Sequence, residues 1–264
     1  MNEGDFWTAD VLAELKAGRF SPRAWSRFLA RSFVRAHAAR TERRYELRQT
    51  LALGALGLAA WAGLALAGRP WLALAGVLWW ALVTVMVDWH LGMLDEQHRL
   101  GLANVLSILR AGVVPVLPVL PPALLAAVLI PAGVLDGLDG PIARARGEMT
   151  RLGHWLDGGV DGLVLGAAAV GAARDGVLPL WAAALVLARH GLQWLVVAAA
   201  YFTRARPPAL DAVVPGKLPG LVLFAGLALA ALHLPGATAL VALGSLGGLA
   251  TFALTLLRSR PAAD

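Results

Sequence analysis

The sequence predicts an all-α membrane protein of about eight transmembrane helices with an amphipathic, cytoplasmic arm ahead of them. Three observations carry this. Hydrophobic residues make up 58 % of the chain and charged residues 15 %, a balance typical of membrane proteins. Beyond residue 50 the chain falls into apolar runs of about 20 residues, the length that crosses roughly 30 Å of hydrocarbon. Basic residues gather at alternate ends of those runs, as the positive-inside rule requires.

The arm, residues 1–50, carries nine Arg and one Lys. Ser21-Pro22 marks a helix start, with Ser as N-cap and Pro at the first helical position. Trp25, Phe28, Leu29 and Phe33 then recur along one side among arginines, the pattern of a helix lying on anionic lipid. The net charge of +6 comes largely from this arm. Its position beside apolar segments points to the lipid bilayer as partner and away from nucleic acid. The first apolar run starts too far along the chain for a cleaved signal peptide and reads as a span. The absence of cysteine excludes disulfides and Cys-ligated metal centres.

The spans fall at 51–68, 71–90, 102–120, 121–144, 153–173, 177–202, 214–232 and 236–257. Breakers separate them at Gly68-Arg69-Pro70, Pro121-Pro122, Arg174-Asp175-Gly176 and Pro235-Gly236. Near residue 120, Pro115, Pro118, Pro121 and Pro122 offer several places to turn. Most of the 23 basic residues lie on one side of this layout, with Arg69 and Arg174 opposite and Arg110 and Arg189 inside spans. Both termini are therefore expected in the cytoplasm. Trp79, Trp80 and Trp89 read as interface anchors.

Four aspartates interrupt the apolar pattern, and carboxylates are costly inside a bilayer. Asp136 and Asp139 are three apart and Asp157 and Asp161 four apart, so each pair shares a helix face. The first face continues to Gly140, Ala143 and Arg144, and the second includes Gly153, so small residues leave room beside the acids. Pro141 cannot donate to the Gly137 carbonyl, which predicts a local break. The short connection around 146–151 makes the two helices antiparallel neighbours whose acidic faces meet at the cytoplasmic end. Carboxylates so placed repel unless protonated or bridged by cations. Oxygen-only ligands select Mg²⁺, Mn²⁺ or Ca²⁺, and divalent ions beside an arginine suit phosphoryl displacement.

The run Asp136-x2-Asp139-Gly140-x2-Ala143-Arg144-x8-Gly153-x3-Asp157-x3-Asp161 resembles the signature of the CDP-alcohol phosphatidyltransferases at every fixed position. A chance match to all of them has odds on the order of 10⁻⁷. The resemblance covers roughly residues 100–257, a six-helix core. It leaves an arm over 1–50, an additional transmembrane hairpin over 51–92 and a catalytic core over 93–264.

The resemblance implies transfer of a phosphatidyl or similar phospho-alcohol group from a CDP-linked lipid donor to an alcohol acceptor, with release of CMP. It implies Asp136, Asp139 and Asp157 as ligands of Mg²⁺ or Mn²⁺, and Asp161 as ligand of a second ion and general base. Gly140, Ala143, Arg144, Thr150 and Gly153 become contacts to the CDP moiety. Asn104, Ser107 and Arg110, spaced by three, resemble the family's Asn-x-x-Thr-x-x-Arg entry, with Ser in place of Thr, and join that set. As a bland alternative, Asn and Ser are ordinary helix caps. Arg189, deep in a span, with Arg204, Arg206 and Lys217, forms a cationic set for a phosphate-bearing acceptor such as glycerol 3-phosphate. His190 stands where the family often has an acid, and packing is its expected role. A homodimer and a cytoplasmic active site complete the expectation.

CDP-diacylglycerol is the favoured donor. One alternative is the same chemistry with CDP-choline or CDP-ethanolamine and diacylglycerol. A second, of another class, is a cation or proton transporter that uses the aspartates as relay sites. That reading calls for acids spread through the membrane depth, often with inverted repeats, whereas these cluster at one end.

Overall fold

A computed structural model describes residues 9–94, 99–203 and 217–258. Ten α-helices occur among them: α1 Ala9–Ala17, α2 Pro22–Glu42, α3 Arg44–Leu66, α4 Pro70–Trp89, α5 Gly101–Gly112, α6 Pro122–Arg146, α7 Arg151–Arg174, α8 Leu180–Thr203, α9 Lys217–Ala231 and α10 Ala237–Arg258. Seven helical segments are long and apolar enough to cross a membrane, and the chain is an all-α, multi-pass membrane protein. The eighth expected span, α9, is described over 15 residues, about 22 Å at 1.5 Å per residue. It counts as a shorter apolar helix.

Chain breakers set the boundaries. Ser21 caps α2 by accepting from Ala24 N at 3.3 Å, with Pro22 at the first position. Gly147, at φ +64, closes α6 in a Schellman turn: Glu148 N donates to Ala143 O at 2.8 Å and Gly147 N to Arg144 O at 3.3 Å. The segment read as one helix over 102–120 is α-helical only to Gly112, followed by turns and a 3₁₀ turn at Leu117–Val119. Pro115 explains the stop, because it disfavours α geometry in the residue before it and has no N–H to continue the ladder. The break expected at Gly140-Pro141 does not occur. The helix runs on to Arg146, because one lost hydrogen bond is tolerable where i±4 bonds on either side persist.

The chain divides into two compact units, Met1–Val116 with Val134–Val160, and Leu117–Gly133 with Asp161–Asp264. In the first, α3 and α4 form a tight hairpin in which tryptophans replace the Cβ atoms that glycines lack. A Cβ at Gly76 would lie 1.9 Å from the Trp61 ring, and one at Gly57 would lie 2.1 Å from Trp80. Trp80 is 3 % exposed and donates to Gly54 O at 2.9 Å, so it is a packing residue and not the interface anchor its composition suggested. Its cluster extends through Val87, Leu91 and Leu100 to Ile108 of α5 and Leu152 of α7.

The arm is a helical hairpin. Ion pairs Arg35–Asp10 and Arg31–Glu14 join α2 to α1, and Val11, Leu12 and Leu15 of α1 are buried. Arg40 pairs with Asp88 near the end of α4, Arg43 donates to Leu94 O at 2.7 Å, and Phe33 meets Trp89 at 5.8 Å between ring centroids. Leu29, Phe33 and Val34 of α2 stay exposed.

In the second unit α9 and α10 approach to backbone contact. A Cβ at Gly244 would lie 2.4 Å from Leu223 N, and one at Gly226 would lie 2.6 Å from Val241 N. Close approach through small residues is a general route to helix pairing in lipid. Arg174, at the end of α7, donates to Pro118 O at 2.8 Å and Leu120 O at 3.1 Å, tying down the proline-rich stretch after α5.

Candidate active site

The site in the first unit is assembled from three helices. α5 presents Asn104, Ser107 and Arg110 on one face, all buried. α6 brings Asp136 and Asp139, and α7 brings Asp157. One carboxylate oxygen from each acid lies within 4.8 Å of the others. An ion with Mg²⁺ to Ca²⁺ bond lengths holds its oxygens no more than about 4–5 Å apart, so this donor set fits one hard divalent cation.

Arg110 occupies the middle of this set. Its side chain is 4 % exposed, and Nη1 lies 2.5 Å from Asp136 Oδ1, 3.3 Å from Asp139 Oδ2 and 3.6 Å from Asp157 Oδ1. Ser107 Oγ donates to the same Asp139 oxygen at 3.2 Å. Asp139, buried, is thus held from two positions on α5. The buried atoms Asp136 Oδ1 and Asp157 Oδ1 face Arg110 Nη1 as ion pairs without a well-directed hydrogen bond, so each keeps lone-pair capacity for a cation. Three carboxylates gathered around the Arg110 guanidinium form a site that a divalent ion would complete.

The loop between α6 and α7 is stitched to the start of α5. Thr150 Oγ1 accepts from Gly153 N at 3.0 Å as the cap of α7, and from Asn104 Nδ2 at 3.2 Å. A Cβ at Gly153 would lie 2.5 Å from Asn104 Oδ1, so this fixed glycine makes room for that pair. Glu148 Oε2 accepts from Leu102 N at 3.1 Å, capping α5 from another element, while Oε1 takes Arg146 Nε at 2.9 Å. Sequence reasoning passed over Glu148. It falls among the variable positions of the motif, and a cap from a distant segment leaves no local pattern.

Gly140 sits under Arg144: a Cβ there would lie 3.3 Å from Arg144 Nη1. Arg144 is exposed and Ala143 is buried beside it. Gly137 and Gly158, the sequence neighbours of Asp136 and Asp157, are exposed and have no atom within 4 Å of an added Cβ. Asp161 lies one turn after Asp157 on the continuous helix α7.

In the second unit Arg189 is 6 % exposed. Its Nη1 donates to Gly244 O at 3.1 Å, and its Nε is buried without a hydrogen-bond partner. A Cβ at Gly248 would lie 2.3 Å from that Nε. His190 Nε2 is likewise buried and unpartnered, with its ring packed on Gly162. Arg204 and Arg206 lie outside the described residues, as does the Lys217 side chain.

A multi-pass helical membrane protein with a carboxylate triad on two helices and an arginine facing it from a third is the class that fold and site define. The family model described as CDP-alcohol phosphatidyltransferase matches residues 100–257, well over half the chain, and the chain belongs to that family. It is accordingly a transferase of substituted phosphate groups, acting on a CDP-alcohol. The transporter reading gives way to this. No curated protein and no solved structure matches the chain.

Proposed function

We propose that the protein transfers a phosphatidyl group from CDP-diacylglycerol to the hydroxyl of a phosphate-bearing acceptor such as glycerol 3-phosphate, releasing CMP. The observation that carries this is the placement of three carboxylates within 4.8 Å of one another in a chain of this family. Asp136, Asp139, Asp157 and Asp161 would hold Mg²⁺ or Mn²⁺, two ions in all, which would supply charge neutralisation for the diphosphate and the departing CMP.

The chain's own residues do the rest. Arg144, exposed above Gly140, offers a forked donor to a phosphate oxygen, and Gly140 lets the nucleotide approach the backbone. Asn104 and Thr150, paired with each other, hold the α6–α7 loop that borders the CDP contact, and Ala143 and Gly153 keep that wall low. Ser107 and Arg110 set the orientation of Asp139. Asp161 takes the proton of the attacking hydroxyl. Arg189, whose buried Nε has no internal partner, serves the acceptor's phosphate together with Arg204, Arg206 and Lys217. The distribution of basic residues supports a cytoplasmic active site and cytoplasmic termini, and the family resemblance supports a homodimer.

The test is the purified chain in liposomes with CDP-diacylglycerol, Mg²⁺ or Mn²⁺, and a panel of glycerol 3-phosphate, inositol phosphate, serine and phosphatidylglycerol, scored by CMP and lipid product. Glycerol 3-phosphate or another phosphate-bearing acceptor is expected to give product. An Asp161→Asn variant is expected to keep the Mn²⁺ held by Asp136, Asp139 and Asp157 and to lose turnover. Product with serine alone overturns the acceptor assignment, and product only from CDP-choline with diacylglycerol overturns the donor.

A further inference from the structure

The hairpin α3–α4 precedes the region the family model covers, yet it packs on the helix that carries Arg110. α5 has 12 residues, about 18 Å, and cannot cross a bilayer by itself. Its faces are divided: Asn104, Ser107 and Arg110 turn to the acids, while Val105 and Ile108 join the cluster built around Trp61 and Trp80.

Two adjacent tryptophans hold its C-terminal end. Trp79 Nε1 donates to Ala111 O at 2.7 Å, on the residue after Arg110. Trp80 covers Gly112, where a Cβ would lie 2.9 Å from its ring. The last carbonyls of a helix lack intrahelical donors; Ala111 O also accepts a 3.3 Å bond from Val114 N and is approached by the Val113 N–H. A donor from α4 therefore fixes both the end and the rotation of α5. Rotation matters here because a turn of the helix swings Arg110 out of the carboxylates.

We propose that Trp79, supported by Trp80, is a positioning residue for Arg110, so that the additional hairpin braces the active site. The proposal rests on the transferase reading of the acidic cluster.

The experiment is a double-mutant cycle on the full-length protein in liposomes, with Trp79→Phe and Arg110→Gln alone and together, reading Mn²⁺ affinity by electron paramagnetic resonance and kcat and KM by CMP release. Trp79→Phe keeps the ring and removes the donor. It is expected to tighten Mn²⁺ binding in the absence of substrate and to lower kcat, each about two- to tenfold, the worth of one hydrogen bond, with acceptor KM unchanged. In the Arg110→Gln background it is expected to change neither, since a residue acting through Arg110 has nothing left to act on. Trp71→Phe, at an exposed position of the same helix, is the control. Where Arg110→Gln does not fold, Arg110→Met, of similar length and without charge, takes its place. Full additivity of the two substitutions, or wild-type Mn²⁺ affinity and kcat in Trp79→Phe, overturns the proposal. If wild type itself releases no CMP from any donor, the transferase reading fails, and the Mn²⁺ cycle still decides the Trp79–Arg110 link.

Discussion

Arg110 Nη1 lies 2.5 Å from Asp136 Oδ1, and the same nitrogen reaches Asp139 and Asp157 at 3.3 and 3.6 Å. One side-chain cation thus stands where the carboxylates of two helices would otherwise repel. Arg110→Gln removes it and leaves the three carboxyl groups together without that guanidinium. The metal-free protein is expected to lose about 3 kcal/mol, the low end for a broken buried pair because only Asp139 of the three acids is fully buried. Mn²⁺ should then raise the melting temperature more in the variant than in wild type. Thermal unfolding in detergent with and without Mn²⁺ checks this, and an equal shift in both contradicts it.

Gly153→Ala places a methyl group 2.5 Å from Asn104 Oδ1 and 3.1 Å from Thr150 Oγ1. The pair must separate, at a cost of about 1–3 kcal/mol for an overpacked site. Adding Asn104→Ala removes the clash, so the double variant should be more stable than the sum of the two single changes. Denaturation of the three variants measures this coupling.

Gly248→Ala acts on the other unit. Its Cβ would lie 2.3 Å from Arg189 Nε, forcing the guanidinium off the Gly244 carbonyl. If Arg189 serves the acceptor's phosphate, acceptor KM rises about 10- to 100-fold, the worth of a charged hydrogen bond, while donor KM holds. Steady-state kinetics with each substrate varied separates the two, and a rise in donor KM alone contradicts the assignment.

The arm supplies a pH dependence. The hydrogen bond from Arg35, more than any other contact, holds the Asp10 carboxyl below its ordinary value. A depressed acid contributes stability that is complete above its unfolded value, about 3.9, and that fades as pH falls through the folded one. Hydrogen exchange of α1 should therefore quicken relative to α3 as pH drops below about 4. Asp10→Asn should show the faster exchange already at neutral pH. The effect is small because the pair is exposed.

What was legible in the sequence followed from local chemistry. Ser21-Pro22 starts α2, and the spacing of Asp136, Asp139 and Asp157 puts the three acids on helix faces that meet. Spacing also put Asn104, Ser107 and Arg110 on one face of α5, but it does not reveal what that face touches. The partners, Thr150 and the acids themselves, come from 26 to 47 residues away. The stop at Gly112 was hidden because four prolines offered competing places to turn. Trp80 was misread for a similar reason: tryptophan is common at membrane interfaces, and only the glycines at 54, 57 and 112, brought to it by folding, show that it is packed inside. Glu148 left no periodic trace because it caps a helix to which it does not belong.

The central claim is that Asp136, Asp139 and Asp157 hold a divalent cation against a CDP-linked diphosphate. Its most direct test is CMP release from CDP-diacylglycerol by the reconstituted chain, titrated with Mn²⁺ after chelation, in wild type beside Asp139→Asn. Wild type should be inactive without metal and recover with Mn²⁺, and Asp139→Asn should lose about 10³-fold, the several kcal/mol a metal ion contributes to such a displacement. Full CMP release in chelator, or an Asp139→Asn variant as active as wild type at low Mn²⁺, contradicts the account.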